Sequence, residues 1–367
     1  MLKAGVADKR LLGITKTGKV STNKEALLNG VTNKDLLTVL KYRSQLKTCV
    51  STFMLPWLQV AEKTSGVIYF NWNQVKSPSG DDTVGTRTGR LSSNPNAQNM
   101  PKLFDEVEFP RGLDVPQLPL LRSYIIPWAD GHVLLGRDYS QQELRILGHF
   151  EGGVLMDAYT ENPWLDVHEH ARVLINKMTG KNFERKPIKN TGFGLLYGMG
   201  IGKLAIKSNI TVDVAKEVKQ AYLAIFPGLK AMYTDMAVRA RAKRPIRTWG
   251  GREYFCEEPK FIDGRWHTYD YKMLNVLIQG SAADCTKQAM LNFCRVRPAG
   301  VRIYLTVHDE FLISCPKNVA KQTMELLRKA MEAVVFDVAM LSEGKWSGKN
   351  WAEMKTYDKT GRIECRL

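Results

Sequence analysis

Residues 301–314 read Val-Arg-Ile-Tyr-Leu-Thr-Val-His-Asp-Glu-Phe-Leu-Ile-Ser, a stretch with the signature of a β-hairpin. Every second residue from Val301 to Val307 is apolar, the period of a strand with one buried face. Two polar residues then separate this strand from a second apolar run, which predicts a two-residue turn. Asp309 therefore lies at a turn, where two paired strands hold its carboxylate in place.

Another predicted strand, residues 133–138, begins with apolar residues and ends in a second carboxylate, Asp138. Two carboxylates at strand ends can hold a pair of divalent ions about 3.5–4 Å apart, the arrangement used for phosphoryl displacement. Aspartate at a strand end is also a common turn former. The pattern alone leaves both interpretations open.

Four residues spaced by four, Arg185, Lys189, Phe193 and Tyr197, are predicted to lie on one side of a helix. Pro187 fits only in the first turn, which places the helix start near Arg185. The helix start would offer free N–H groups and two cations to an anion, and the aromatic residues would offer flat surfaces to a base. This predicts a triphosphate site, with an ordinary amphipathic surface helix as the alternative.

The charge of the chain is unevenly distributed. It has 53 Lys and Arg against 37 Asp and Glu, a net charge of +16. Residues 1–80 carry +8, and residues 177–207 and 239–252 carry +6 each, whereas residues 81–176 carry −6. Basic blocks around an acidic region favour a polyanionic partner, with metal ions neutralising the acidic region.

Composition limits the class of protein. The chain has 367 residues, of which 44% are hydrophobic and 25% charged, values typical of folded domains. No apolar run approaches the ~18 residues of a membrane span, and the start lacks a signal-peptide core. Six scattered cysteines without a C-x-x-C pair predict free thiols in a reducing compartment. Locally, Asn33 is predicted to cap a helix and residues 66–72 to form a strand.

Five segments together resemble one known family. Residues 138–145, Asp-Tyr-Ser-Gln-Gln-Glu-Leu-Arg, are similar to motif A of the family-A DNA polymerases, the bacterial DNA polymerase I group. Residues 185–198 resemble its motif B, and residues 306–310, Thr-Val-His-Asp-Glu, its motif C. Residues 88–99 and 275–284 agree with two further motifs, and all five follow the order of the family.

The resemblance implies an α+β, right-hand polymerase fold with an antiparallel palm sheet, helical fingers and a partial helical thumb. It places a partial thumb at 1–45, the palm at 46–145 and 263–367, and the fingers at 146–262. It also implies a polymerase domain without nuclease domains, hence without proofreading.

The implied reaction joins a primer 3′-hydroxyl to the α-phosphate of a deoxynucleoside triphosphate (dNTP) and releases pyrophosphate. By resemblance, Asp138, Asp309 and the carbonyl of Tyr139 hold two Mg²⁺ ions, with Mn²⁺ as a substitute, and Glu310 supports the site. Lys189 is the implied proton donor to pyrophosphate. Asp138, Asp309 and Lys189 are therefore the implied catalytic residues.

The resemblance also assigns binding residues. Glu143 is the implied barrier to a 2′-hydroxyl, Phe193 the sensor of the 3′-hydroxyl and Tyr197 a stacking residue. The full dNTP set is Gln141, Glu143, His168, Arg185, Lys189, Phe193 and Tyr197. The implied contacts with primer–template DNA are Arg90, Gln98, Asn99, Asn275, Gln279 and His308.

Some residues depart from the family pattern, and alternatives remain. Gln142 stands where motif A is usually apolar, and residues 270–272, Asp-Tyr-Lys, give a phage-like variant. The competing hypotheses are a two-metal nuclease, a non-catalytic DNA-binding protein on a polymerase scaffold, and a polymerase for RNA synthesis or reverse transcription. The predicted partners are primer–template DNA and dNTPs, with no membrane, in the cytoplasm of a bacterial or phage-infected cell.

Overall fold

The structure is a computed structural model that describes residues 5–15, 17–74, 76, 85–103, 114–262 and 264–364. The chain divides into two compact units. The first comprises Met1–Asn71, Ser93–Ile126 and Asn350–Glu353, and the second Trp72–Ser92, Pro127–Lys349 and Met354–Leu367.

The first unit is built mainly from helices. They are α1 (Lys9–Leu12), α2 (Lys24–Gly30), α3 (Lys34–Thr48), a π-helical stretch (Cys49–Met54), α4 (Leu55–Ala61) and 3₁₀ turns at Leu121–Tyr124 and Trp351–Glu353. The side chain of Asn33 accepts a hydrogen bond from the N–H of Leu36 (2.8 Å), which confirms the predicted cap of α3. Cys49, Phe53 and Trp57 are buried in its core.

Two short strands lie where the chain passes between the units, β1 (Asn71–Asn73) and β2 (Ser92–Asn94). The strand predicted for residues 66–72 is therefore mostly wrong. A turn ends at Gly66, and the next four residues are irregular, because an apolar run forms a strand only where a partner strand is available.

The centre of the second unit is a six-stranded antiparallel sheet in the order β12-β11-β10-β3-β9-β8. Its strands are β3 (His132–Tyr139), β8 (Arg302–Val307), β9 (Glu310–Pro316), β10 (Ser342–Ser347), β11 (Lys355–Lys359) and β12 (Arg362–Ile363). The predicted hairpin is confirmed: Val307 pairs with Glu310, and His308-Asp309 form the turn. The strand predicted for residues 133–138 is confirmed as β3.

Helices make up the rest of the second unit. They are α5 (Gln142–Glu151), α6 (Val154–Glu161), α7 (Val167–Thr179), α8 (Arg185–Leu196), α9 (Ile201–Ser208), α10 (Val212–Ile225), α11 (Pro227–Arg241), α12 (Tyr271–Val296) and α13 (Ala320–Glu332). Two small hairpins are formed by β4 (Ile246–Arg247) with β5 (Glu253–Tyr254), and by β6 (Lys260–Ile262) with β7 (Arg265–His267). The predicted start of α8 at Arg185 is confirmed.

The mixture of helices with an antiparallel sheet agrees with the α+β fold that the sequence predicts. The division into thumb, palm and fingers at residues 45, 145 and 262 is not tested by these units and stays a prediction. In the part of the chain that is described, no helix is both long and apolar enough to cross a membrane.

Candidate active site

The two carboxylates predicted from the strand ends lie on neighbouring strands. The N–H of Tyr139, at the end of β3, donates to the carbonyl of Asp309 in the β8–β9 turn (3.3 Å). Asp138 faces Glu310 of β9 on one side and Glu343 of β10 on the other. Residues directly opposite in antiparallel strands share a face of the sheet, so three carboxylates line one face here.

Left-handed backbone conformations occur at both strand ends. His308 has a φ of 58° at the turn, and Gln141, which caps α5, has a φ of 55°. Such conformations are uncommon for residues other than glycine and are concentrated at functional sites, where the surrounding structure holds them. The chain thus reverses sharply beside both Asp138 and Asp309.

A cavity of about 590 Å³ opens at these strand ends, a size typical of small-molecule sites. All seven residues predicted to bind the dNTP line it, together with three others from the predicted set. The ten are Arg90, Gln141, Glu143, His168, Arg185, Lys189, Phe193, Tyr197, His308 and Asp309.

Helix α8 supplies the cations of the cavity. Arg185, at its first position, forms an ion pair with Asp166 (2.6 Å). The other Asp166 oxygen caps α7 by accepting from the N–H of His168 (3.0 Å) and of Glu169 (3.2 Å). Partial burial would raise the pKa of Asp166, but the hydrogen bonds from Arg185 and Glu169 outweigh it and lower that pKa. Asp166 is therefore the negative partner of Arg185.

His168 is buried beside these cations. Burial lowers its pKa to about 4; Asp166 opposes this shift, and the charges of Arg185 and Lys189 add to it. Among the described residues, its Nδ1 atom has no hydrogen-bond partner. Its ring lies 5.1 Å from that of Phe193. His168 is thus neutral at pH 7, able to donate one N–H to a phosphate oxygen without carrying a charge.

Glu143, in the first turn of α5, is held from two sides. Arg90 forms an ion pair with one carboxylate oxygen, and the hydroxyl of Tyr197 donates to the other (2.7 Å). Burial and the charge of Glu143 raise the pKa of Tyr197 to about 12, with a hydrogen bond involving Gln279 opposing them. The ring of Tyr197 stacks on that of Phe193, with centroids 6.3 Å apart.

Tyr197 differs slightly from the prediction that four residues share one helix face. Helix α8 ends at Leu196, and Tyr197 is its C-cap. It still lines the cavity, because the capping residue follows directly on the last helical turn.

The acidic side of the cavity is crowded. Burial, together with the negative charges of Glu143 and Glu310, raises the pKa of Asp309 to about 6, although its backbone N–H and Arg90 oppose the shift. Glu310 is buried, and its carboxylate lies over Gly136, where a Cβ atom would be 3.3 Å from Oε1. A crowded set of carboxylates is an electrostatic environment that favours a bound cation.

Arg145, fully buried in α5, holds the backbone around the cavity. It donates to the carbonyls of Ser140 (2.6 Å), Pro163 (2.6 Å) and Ala339 (2.8 Å). Gln141 adds a bond from its side-chain amide to the carbonyl of Leu165 (2.7 Å). The end of β3 and the segment that precedes α7 are thus joined by side-chain hydrogen bonds.

Gln142, the departure from motif A, lies in the cavity wall with its amide turned to α12. It is buried, and its amide donates to Thr286 Oγ1 (3.1 Å) and to the carbonyl of Ala282 (3.3 Å), both in α12. A polar residue is accommodated here because α12 supplies its hydrogen-bond partners.

Several predicted residues are not brought to the cavity wall. Asp138, Tyr139 and Glu310 lie in the sheet beside it, and Asn275 and Gln279 lie on α12. The Nδ2 atom of the half-buried Asn275 is shielded from solvent and has no hydrogen-bond partner among the described residues. Gln98 and Asn99 belong to the first unit, so their predicted DNA contacts stay predictions.

Sequence reasoning missed part of the cavity wall. Trp164, Asp166, Glu343 and Thr360 line it without having been predicted as site residues. Asp166 could have been found, because Asp followed three residues later by Glu is a helix-start signal. Glu343 carries no local signal, since only the order of strands in the sheet places it opposite Asp138.

Within the described residues, no three His, Cys, Asp or Glu side chains are grouped as a metal site. Mg²⁺ is commonly bound through one or two carboxylates together with substrate phosphates. Asp138, at the end of β3, and Asp309, in the adjacent β8–β9 turn, lie beside a cavity lined by Arg185 and Lys189 and fit that donor set. The carbonyl of Tyr139 is part of the same strand end.

Comparison with known sequences decides the family. The profile of DNA polymerase family A matches residues 3–353. The chain belongs to DNA polymerase family A. The family membership predicted from the five motifs is therefore confirmed.

Relatives include DNA polymerase I of Helicobacter pylori, which is 30% identical over 94% of this chain and 37% of its own length. DNA polymerase I of Caldicellulosiruptor bescii is 32% identical over 93% of this chain and 38% of its own. A solved structure, "POL domain of Pol1 from M. smegmatis complex with DNA primer-template and dNTP", has a TM-score of 0.71 at 25% identity, covering 92% of this chain and 57% of that one. This chain thus spans less than two-fifths of those two curated relatives and resembles a polymerase domain in fold.

Proposed function

We propose that this family-A polymerase chain catalyses template-directed addition of deoxynucleotides to a primer 3′-hydroxyl, with release of pyrophosphate. The observation that carries the proposal is the cavity itself. It brings Arg185 and Lys189 of α8 together with Asp309 of the β8–β9 turn, beside the strand that carries Asp138, although these residues come from distant parts of the sequence. The solved M. smegmatis structure, which is similar in fold, is a complex with DNA primer-template and dNTP, the partners proposed here.

Asp138, Asp309 and the carbonyl of Tyr139 would hold two divalent ions, Mg²⁺ or Mn²⁺. When bound, these ions lower the charge of the phosphates and favour the deprotonated primer hydroxyl. Glu310, buried next to Asp309 in sequence, supports the site by holding the turn rather than by facing the cavity.

Arg185 and Lys189 would bind the triphosphate, and His168 would donate an N–H to it. The primer oxygen forms a bond to the α-phosphorus as the bond to the leaving pyrophosphate oxygen breaks. Lys189 supplies the proton that pyrophosphate takes up. Positioning and electrostatics provide most of the acceleration in such phosphoryl transfers.

Selection of the nucleotide would rest on the other wall of the cavity. Glu143, fixed by Arg90 and Tyr197, stands as a rigid barrier to a 2′-hydroxyl. Phe193 would contact the 3′ position of the sugar, and Tyr197 would stack at the template side. The side chain of Gln141 donates to the carbonyl of Leu165 and accepts from the N–H of Val167, and it thereby positions the segment at the start of α7.

The remaining predicted residues complete the proposal. Arg90, His308 and Gln279 lie at or next to the cavity and would contact the primer–template end, as would Gln98, Asn99 and Asn275. The proposed layout is a partial thumb at 1–45, a palm at 46–145 and 263–367, and fingers at 146–262. The described residues are proposed to act in synthesis only, without proofreading, in the cytoplasm of a bacterial or phage-infected cell.

Primer extension with a labelled primer, dNTPs and Mg²⁺ tests this function against Asp309→Ala. Wild type should extend a matched primer and should remove no nucleotides from a mismatched 3′ end. The Asp309→Ala variant should neither extend nor shorten the primer. Glu143→Ala should incorporate ribonucleotides more readily. Shortening of the primer without extension would instead identify a nuclease, and DNA binding with neither reaction a non-catalytic protein.

A further inference from the structure

The C-terminal hairpin of the second unit lies beyond the residues that match the family profile, which end at 353. Strands β11 and β12 are joined by the two-residue turn Thr360-Gly361, with Lys359 paired to Arg362. Thr360 nevertheless lines the cavity, as does Glu343 of β10. A segment outside the family match therefore forms part of the cavity wall.

The base of this hairpin is fixed to the central sheet. Asp358 accepts from the buried guanidinium of Arg137 (2.9 Å) and from the N–H of Gly344 (2.6 Å). Strand β11 pairs with β10, the strand that carries Glu343. The turn is thus held at a defined place relative to Glu343.

The turn makes two contacts with the cavity wall. The N–H of Thr360 donates to Glu343 Oε1 (3.2 Å). Gly361 lies close to Trp164: a Cβ atom on Gly361 would be 3.3 Å from the indole nitrogen. Trp164 lines the cavity two residues before Asp166, the ion-pair partner of Arg185.

The backbone conformation of Thr360 is unusual for a threonine, which indicates that contacts outside the turn help to hold it. Thr360 has a φ of 48° and Gly361 of 78°, the pattern of a hairpin turn that prefers Asn-Gly. A β-branched residue with positive φ is uncommon and persists where its surroundings hold it. Here those surroundings are Glu343 and the cavity.

We propose that the C-terminal hairpin is a positioning element, which holds Glu343 and Trp164 at the cavity and thereby sets the affinity for the incoming nucleoside triphosphate. The inference rests on the proposed polymerase function. The hairpin acts through Glu343 and Trp164, and no chemical step passes through it.

The test compares a chain ending at Lys359, which loses the turn and β12 but keeps Asp358, with a control chain ending at Glu364. Measured quantities are kcat and KM for dNTP, and the Kd of dNTP on a dideoxy-terminated primer–template. The shorter chain should show KM and Kd raised about fivefold, the size of a modest lost contact. Its kcat and its affinity for primer–template should match those of the control.

Gly361→Val in the full-length chain provides a second test, because its side chain would push against Trp164 while the hairpin remains. It should raise KM and Kd in the same direction, with kcat and primer–template affinity unchanged, whereas the melting temperature should fall because a β-branched residue is strained at the φ of 78° of Gly361. Control-like KM and Kd in both variants would overturn the inference while leaving the polymerase function intact. A parallel loss of kcat, DNA affinity and melting temperature would also overturn it, as a global defect. If wild type failed to extend primers, the proposed function would fall, and direct dNTP binding would still decide the role of the hairpin.

Discussion

Two walls of the cavity carry opposite charges and are held in different ways. The acidic wall, Asp309 with Glu143 and Glu343, comes from strand ends and the start of α5 and is half-buried; the Glu143 side chain is only 13% exposed. The basic wall, Arg185 and Lys189, comes from one helix, and the Arg185 side chain is 44% exposed. One wall is fixed by the backbone, and the other is held by a surface ion pair.

This difference bears on how each wall would meet its ligand. Exposed ion pairs such as Arg185–Asp166 contribute about 0–1 kcal/mol, so a triphosphate can displace Asp166 at little cost. The acidic carboxylates cannot relax apart, because hydrogen bonds and strand pairing fix them. Arg90 relieves part of their mutual repulsion, and a bound metal cation would relieve more of it.

The largest effect on activity is expected from substitution of Asp138, which lies in the sheet beside the acidic wall. Asp138→Ala should lower kcat by about 10³-fold, because several kcal/mol of charge stabilisation would be lost. Single-turnover primer extension measures this. A double variant with Asp309→Ala should be no slower than either single variant, since both residues serve one site; additive losses would contradict a shared role.

The basic wall predicts a pH effect at His168, whose pKa lies near 4 instead of its ordinary 6.5. Between those values the unfolded chain binds more protons than the folded one. The free energy of unfolding should therefore fall as the pH drops from about 6.5 to 4, by on the order of 3 kcal/mol. Urea unfolding across this range, compared with His168→Gln, measures the effect; the variant should show a shallower dependence.

Substitution of Lys189 tests whether the basic wall supplies a proton as well as binding the triphosphate. Lys189→Ala should lower kcat by about 10²-fold, the usual size of a lost general acid, with a smaller effect on KM. Lys186→Ala, an exposed neighbour on the same helix, is the matched control. Equal kcat in the two variants would reduce Lys189 to a binding residue.

The smallest effect is expected at the ion pair itself. Asp166→Asn keeps an oxygen to cap α7 but removes the charge that opposes the triphosphate at Arg185. The Kd for dNTP should fall by roughly two- to fivefold, the equivalent of a surface pair of up to ~1 kcal/mol. Weaker dNTP binding would show that Asp166 orients Arg185 and is not its exchangeable partner.

Local patterns predicted the parts of the site that are local. The period-2 run of residues 301–307 gave the β8–β9 hairpin with Asp309 in its turn, and the spacing from Arg185 gave α8. The family motifs supplied most of the cavity residues. Glu343 and Thr360 escaped prediction, because their positions depend on strand order and on a hairpin outside any motif.

The strand predicted for residues 66–72 also shows that contacts distant in the sequence cannot be predicted from a local pattern. Residues 66–70 have suitable apolar residues, yet the strand begins only at Asn71. A run of that length carries no information on whether another strand lies beside it. Sequence was informative where the decisive contacts are near in the chain, or where a motif records them.

Arg145 has a mechanical consequence. Its three hydrogen bonds clamp Ser140, Pro163 and Ala339 together, so the loop before α7 moves as one rigid body with the edge of the sheet. Helix α8 is joined to this region by the exposed Arg185–Asp166 pair and by the Tyr197–Glu143 hydrogen bond, which are more accessible to water than the buried Arg145 bonds. A motion that opens the cavity is therefore expected to move α8 against this frame, and amide hydrogen exchange should be faster in α8 than at Ser140 and Leu165.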